Sequence, residues 1–138
     1  MSLEHVPSSL QRRVRDRAAN RCEYCRLAQT RQEATFHVDH VEPRRAGGAT
    51  AFENLALACV SCSLRKGART TGTDPVAGRT VTIFDPRRQS WDEHFAISPD
   101  ATIIGKTATG RATVDLLKMN RALGVAIRHE ERLRGRLP

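Results

Sequence analysis

Aromatic residues are scarce: one Trp, one Tyr and four Phe make up 4% of the 138-residue chain. Aromatic side chains carry much of a typical core, so a fold built here needs another source of cohesion. Lysine is nearly missing as well. Of the 23 basic residues only Lys66, Lys106 and Lys118 are lysine, and the rest are arginine. No window approaches 18 consecutive apolar residues, which excludes a membrane-spanning helix. Met1–Leu10 lacks the apolar segment of a secretory signal. The expected compartment is therefore the reducing cytoplasm, where cysteines serve as metal ligands or free thiols. There is no phosphate-cradling glycine loop and no Gly-x-Ser-x-Gly elbow.

Against these absences stands a net charge of +8 and a pI near 10.3, with 39% of residues apolar and 28% charged. Arginine suits bidentate contact with phosphate, so the composition favours a polyanionic partner. A GC-rich genome is the other source of arginine. The length suits one domain, or one domain with an arm. Residues 1–7 read as loose. Ser8, with Gln11 three positions on, is a capping-box start for a helix. Leu10, Val14 and Ala18 give that helix one narrow apolar stripe, Arg12, Arg13, Arg15 and Arg17 a solvated face, and Asn20 its end. Strands are expected over 35–41 and 55–58, with a short helix over 59–66 closed by Gly67. Further on, strands are expected over 81–84 and 101–107. Helices are expected over 110–120 and 121–134, with Val114, Leu117, Leu123 and Ile127 as core positions. Residues 69–80 read as a loop. Residues 8–70 thus form a core and 71–138 an extension packed on it.

Four cysteines punctuate the first half. Cys22-x2-Cys25 and Cys59-x2-Cys62 are 33 residues apart. Each pair can turn two sulfurs toward one point, and four thiolates complete a tetrahedral, closed and therefore structural Zn²⁺ site. Buried or redox-active thiols are the alternative reading. Between the pairs lies His37-Val-Asp39-His40, followed by Asn54. Asp39 is a hard oxygen ligand suited to Mg²⁺ or Mn²⁺. The His40 ring can deprotonate water near neutral pH. Neighbouring side chains on a regular strand face opposite ways, so these two share a site only if the strand end is twisted or bulged. His37, two residues before Asp39, lies on the Asp39 face.

Cys-Glu-Tyr-Cys, then Phe-His-Val-Asp-His-Val-x-Pro, Gly-Gly, Glu-Asn-Leu-Ala-Leu-Ala-Cys-Val-Ser-Cys and Arg-Lys-Gly together resemble the HNH nuclease family with its zinc-ribbon cysteines. The resemblance spans residues 12–69. It implies an α+β fold, a ββα-metal finger (His-Me finger) stapled by the four-cysteine zinc site and followed by a C-terminal α/β extension. It implies a metal-dependent endonuclease acting on DNA phosphodiesters. His40 is then the general base and Asp39 the catalytic-metal ligand. Asn54 braces the hairpin loop, and His37 stands beside the scissile phosphate or touches the metal. The family's last ligand position falls on Ser63, where His or Asn is usual, and a serine hydroxyl is a shorter and weaker donor. Arg44, Arg45, Arg65 and Lys66 are the candidate phosphate contacts. A zinc-stapled nucleic-acid-binding module without activity is the competing reading, and Ser63 is its support. The stretch from Asp85-Pro-Arg-Arg to Trp91, His94 and Phe95 resembles an extension of one bacterial branch of the family. Its aromatic trio reads as a packing cluster.

Overall fold

The computed structural model describes residues 5–137. The chain divides into two compact units. One runs up to Thr70 and takes in Asp85–Gln89; the other holds Thr71–Phe84 and everything from Ser90 onward. The class is α+β, with three separate two-stranded antiparallel sheets. Among the described residues no helix is long and apolar enough to cross a membrane.

The first unit opens with α1, Ser8–Arg17. Its N-cap is Pro7 and no side chain caps it, which corrects the Ser8 capping box. Gln11 reaches back instead and donates to the Val6 carbonyl at 2.9 Å. Val6 is itself buried, so of the segment expected to be loose only residues 1–4 lie outside the described residues. The helix closes through Ala19 and Asn20, both left-handed, a conformation that asparagine tolerates better than most residues.

The hairpin follows: β1, His37–His40, and β2, Leu55–Ala58, pair in one-to-one antiparallel register from His37↔Ala58 to His40↔Leu55. All four residues of β2 are buried, because α1 and the next helix, α2 (Val60–Lys66), both pack on the hairpin. A strand covered on both faces reads as a continuous apolar run, here Leu-Ala-Leu-Ala. Cys59 N-caps α2 through its sulfur, and Gly67 ends it at φ +52°.

Arg12 and Arg13 of α1 are exposed as the sequence suggests, but Arg15 and Arg17 turn inward. Arg17 donates to the carbonyls of Phe52 at 2.6 Å and Leu55 at 2.5 Å, with its guanidinium 3.9 Å over the Phe52 ring. Arg13 lies 4.3 Å from the same ring, and Arg15 donates to the Phe36 carbonyl at 2.8 Å. Burial and the nearby Arg87 lower the Arg17 pKa, and Glu23 and Glu53 oppose them. These contacts fasten α1 to both strands in a chain with few aromatics to do so.

The second unit contains β3 (Thr71–Thr73) paired with β4 (Thr80–Thr82), the short α3 (Trp91–His94), β5 (Phe95–Ile97) paired with β6 (Ile103–Gly105), then α4 (Ala108–Leu116) and α5 (Ala122–Leu133). The hairpin β3–β4 lies mainly in the stretch expected to be a loop, because Thr-Gly-Thr and its partner are mostly exposed and show no apolar alternation. The aromatic trio does pack: Trp91 and Phe95 centroids are 5.0 Å apart, and Phe84 meets Phe95 at 5.2 Å. Arg111 holds the buried Asp74 carboxyl at about 2 through two hydrogen bonds.

Leu123, expected in the core, is 64% exposed. The buried face of α5 carries Gly124, Arg128 and Glu131 instead. Arg128 is fully buried and donates to the carbonyls of Ala101 (2.9 Å) and Met119 (2.8 Å) and to Asn120 Oδ1 (3.2 Å). Arg128→Leu should therefore destabilise the protein by about 3 kcal/mol or more despite adding an apolar side chain, since each buried acceptor left unpaired costs about 1–3 kcal/mol. Urea unfolding checks this; an unchanged midpoint would show that the guanidinium has no such role.

Candidate active site and metal centre

The four sulfurs come together although their pairs lie far apart in sequence. All are buried and within 4.8 Å of one another, and Cys25 Sγ stands 3.6 Å from Cys59 Sγ. Sulfurs around a tetrahedral Zn²⁺ at about 2.3 Å stand about 3.8 Å apart, whereas a disulfide needs about 2.0 Å. The spacing fits zinc, and all four cysteines are free thiols. The backbone N–H of Cys25 points at Cys22 Sγ and that of Cys62 at Cys59 Sγ, both at 3.4 Å. Each pair thus forms a knuckle with a donor aimed at its first sulfur. Hydrogen bonds from Cys22, Cys25 and Cys62 pull Cys59 strongly toward the thiolate. Burial first, and then its neighbours, pushes Cys22 up; its cysteine neighbours first, and then burial, push Cys62 up. A dication bound among the four sulfurs would let all of them act as thiolate ligands.

Between the knuckle cysteines, Glu23 has a task that the sequence did not announce. Its N–H donates to the Leu57 carbonyl and its Oε2 accepts from the Leu57 N–H, each at 2.8 Å. Its other oxygen pairs with Arg87. The knuckle is thereby stitched to the outer edge of β2.

The hairpin loop is held by Asn54. Its Oδ1 accepts from the Glu42 N–H at 2.9 Å, and its Nδ2 donates to the carbonyls of Glu42 (3.1 Å) and Ala49 (2.8 Å). The loop approaches so closely that a Cβ on Gly48 would lie 1.8 Å from the Glu42 carbonyl oxygen. Only glycine fits there, and Gly47 beside it turns at φ +96°.

On this frame the candidate residues fall into two groups. His37 Nδ1 lies 2.7 Å from Ser63 Oγ, joining β1 to α2. The Asp39 carboxylate lies near enough to Lys66 on α2 and to the buried Tyr24 ring to shift both. It is half-buried and has no hydrogen-bond or ion-pair partner among the described residues. His40, the last residue of β1, is turned to the loop: its Nε2 lies 2.8 Å from Thr50 Oγ1, and Arg44 donates to the same oxygen at 3.0 Å. The register of β1 carries no bulge up to His40, its last residue, and the chain bends directly after it at residues 41–42. The donor set beside Asp39 is hard but thin, with one carboxylate, one hydroxyl already bonded to an imidazole, and the imidazole itself. It fits a Mg²⁺ or Mn²⁺ that keeps several waters.

Among the four candidate phosphate contacts, Arg45 and Arg65 are exposed, and so is Arg44. Lys66 requires correction. It is 2% exposed, and its ammonium donates to the carbonyls of His40 (3.4 Å) and Val41 (3.3 Å). Burial lowers its pKa, against the pull of Asp39, Asp85 and Glu42. The side chain fastens α2 beneath the end of β1 and does not reach out to a phosphate. Thr50, Glu23 and Arg87 are the residues that sequence reasoning missed. A threonine or glutamate in a loop carries no period, and only the fold reveals what it meets.

Residues 22–69 match the family model described as HNH endonuclease. This stretch is similar to an HNH domain. Searches of curated proteins and of solved structures return no significant match. The HNH match contains both cysteine pairs, the hairpin with its loop, and α2.

Two measurements test this geometry. Elemental analysis of the pure protein should find one Zn²⁺ per chain, and a strong chelator should unfold the first unit, because folding and metal binding are linked in small metal-stapled units. Folded protein free of zinc would refute the site. Lys66→Ala should lower stability by about 1–3 kcal/mol, whereas Arg45→Ala should change it by less than about 0.5 kcal/mol. Equal effects in chemical denaturation would remove the role assigned to Lys66.

Proposed function

We propose that the HNH-like stretch is a metal-dependent endonuclease that hydrolyses DNA phosphodiester bonds. The observation that carries this reading is the Asp39 carboxylate, half-buried one residue before His40 and without a hydrogen-bond partner among the described residues. A carboxylate withdrawn from water without a partner is costly, and a divalent cation satisfies it. Asp39 would hold that ion, Mg²⁺ or Mn²⁺, with the His37–Ser63 pair alongside; bound there, it would supply charge neutralisation at the phosphate and at the leaving oxygen.

The other roles belong to the chain itself. His40 takes a proton from the attacking water. Asn54 keeps the loop beside His40 in one shape through its three hydrogen bonds. His37, braced by Ser63, presents its ring where a phosphate oxygen would lie. Arg44, Arg45 and Arg65 hold the backbone, contacts that position a duplex without reading its sequence. The net charge of +8 supports DNA as the partner, and the four cysteines hold a structural Zn²⁺ that takes no part in the chemistry. A second reading, a binding module without activity, draws on Ser63: its hydroxyl is engaged by His37, which leaves it less available to a cation beside Asp39.

Supercoiled plasmid incubated with Mg²⁺, Mn²⁺ or EDTA separates the two. Cleavage should require the added divalent ion. His40→Ala should slow it by roughly 10²–10⁴-fold, the usual worth of a general base, with DNA binding nearly intact. Asp39→Ala should stop it. Wild-type rates in both variants would place the activity elsewhere, and a plasmid that is bound but uncut under every condition would favour the binding module.

A further inference from the structure

Within the first unit, Arg17, Phe52, Glu53, Pro86 and Arg87 line a cavity of about 360 Å³. Arg17 holds the Leu55 carbonyl. Leu55 lies two residues from Leu57, so both present their free backbone groups on the edge of β2 that faces away from β1. The cavity thus adjoins the edge of the hairpin opposite the one that carries the candidate chemistry. We propose that it binds the phosphate group of a phosphate ester, held by the guanidiniums of Arg17 and Arg87. The proposal stands apart from the nuclease reading, since none of these residues has a role in cleavage.

Donor counts carry the argument. Arg17 spends Nη1 and Nη2 on the carbonyls of Phe52 and Leu55, and Arg87 spends Nη2 on Glu23. Arg17 Nε, Arg87 Nε and Arg87 Nη1 remain, all buried and all without an acceptor. A guanidinium has donors only, so turning a proton cannot relieve them. Buried polar groups nearly always have partners, and an exception points to a bound water or ion. Here three exceptions fall on two side chains that wall one cavity. On binding, a turn about the terminal bonds of Arg87 would present its two free N–H groups to the ligand.

Charge separates an anion from water. Burial first, and then the nearby Arg87, lowers the Arg17 pKa, so two cations sit close together in a partly dry site. Water would satisfy the donors and leave that repulsion; an anion answers both. A phosphate spreads several acceptor oxygens over a tetrahedron, which suits donors arriving from two guanidiniums. The volume lies within the range of small-molecule sites, about 300–1,000 Å³, and exceeds what a bare ion fills. Phe52 and Pro86 offer an apolar wall to the organic part of an ester. Glu53 is the one carboxylate of the lining. It is exposed, has no hydrogen bond or ion pair among the described residues, and opposes an anion.

The full-length protein, as purified, is titrated with inorganic phosphate, thymidine monophosphate and a short DNA duplex while ¹H–¹⁵N spectra follow the arginine Nε–H signals. No divalent ion is added, so none at Asp39 can recruit the anion. The Arg17 and Arg87 signals should shift and saturate, with the mononucleotide binding more tightly than inorganic phosphate. Saturation by the mononucleotide and not the duplex identifies a free ester as the source; saturation by the duplex identifies a backbone phosphodiester. Arg87→Lys keeps the charge and loses the fork, and should weaken binding by about 10-fold or more, the worth of one charge-assisted hydrogen bond. Because Arg87 also clamps Glu23, a second variant is free of that role: Glu53→Gln should tighten binding by about 2- to 5-fold, the effect of removing one like charge near the site. Arginine signals that stay still or drift without saturating with all three probes would overturn the proposal, and so would an unchanged affinity in Glu53→Gln.

Discussion

The convergence of four sulfurs within 4.8 Å is the constraint on which the first unit depends. One knuckle follows α1 and the other opens α2, with the hairpin strung between them. Closing the cluster brings α1 and α2 onto the hairpin without a large apolar core. Cys59 shows the economy of this arrangement, since the same sulfur is a cluster member and the N-cap of α2. Candidate chemistry on β1 then meets candidate chemistry on α2 because both elements are tied to one point.

Around that staple, cohesion comes from cations bonded to main-chain carbonyls. Arg15, Arg17 and Lys66 do this in the first unit, and Arg128 and Arg132 in the second. A guanidinium spans several acceptors with one rigid fork, so it joins elements that a small aliphatic side chain would leave apart. Part of the basic composition is therefore architecture. The charge left for a polyanion is smaller than the net figure and lies with exposed groups such as Arg45 and Arg65.

The cysteine pairs, the hairpin strands and the short helix after them were legible in the sequence. Those signals are spacings and runs, and each maps onto a local geometry. What remained hidden was contact made by long or irregularly placed side chains. Lys66 ends a helix and looks like an exposed cation, yet carbonyls at the end of β1 draw it inside. Leu123 sits at an apolar spacing on α5, but the buried face of that helix carries Gly124, Arg128 and Glu131, which no hydrophobic period reports. Ser63 was placed correctly on α2, but its hydrogen bond to His37 depends on how the helix lies against β1, and that depends on the whole domain.

Glu23 has a consequence beyond local stitching. A two-stranded sheet offers open edges on which another chain can add a strand, a common route to sheet-to-sheet assembly. At the outer edge of β2 the Leu57 N–H and carbonyl are both taken by Glu23 of the same chain, and Arg87 clamps that carboxylate. A second copy cannot extend the sheet through Leu57. Strand addition to this hairpin must therefore avoid Leu57 and use the edge of β1.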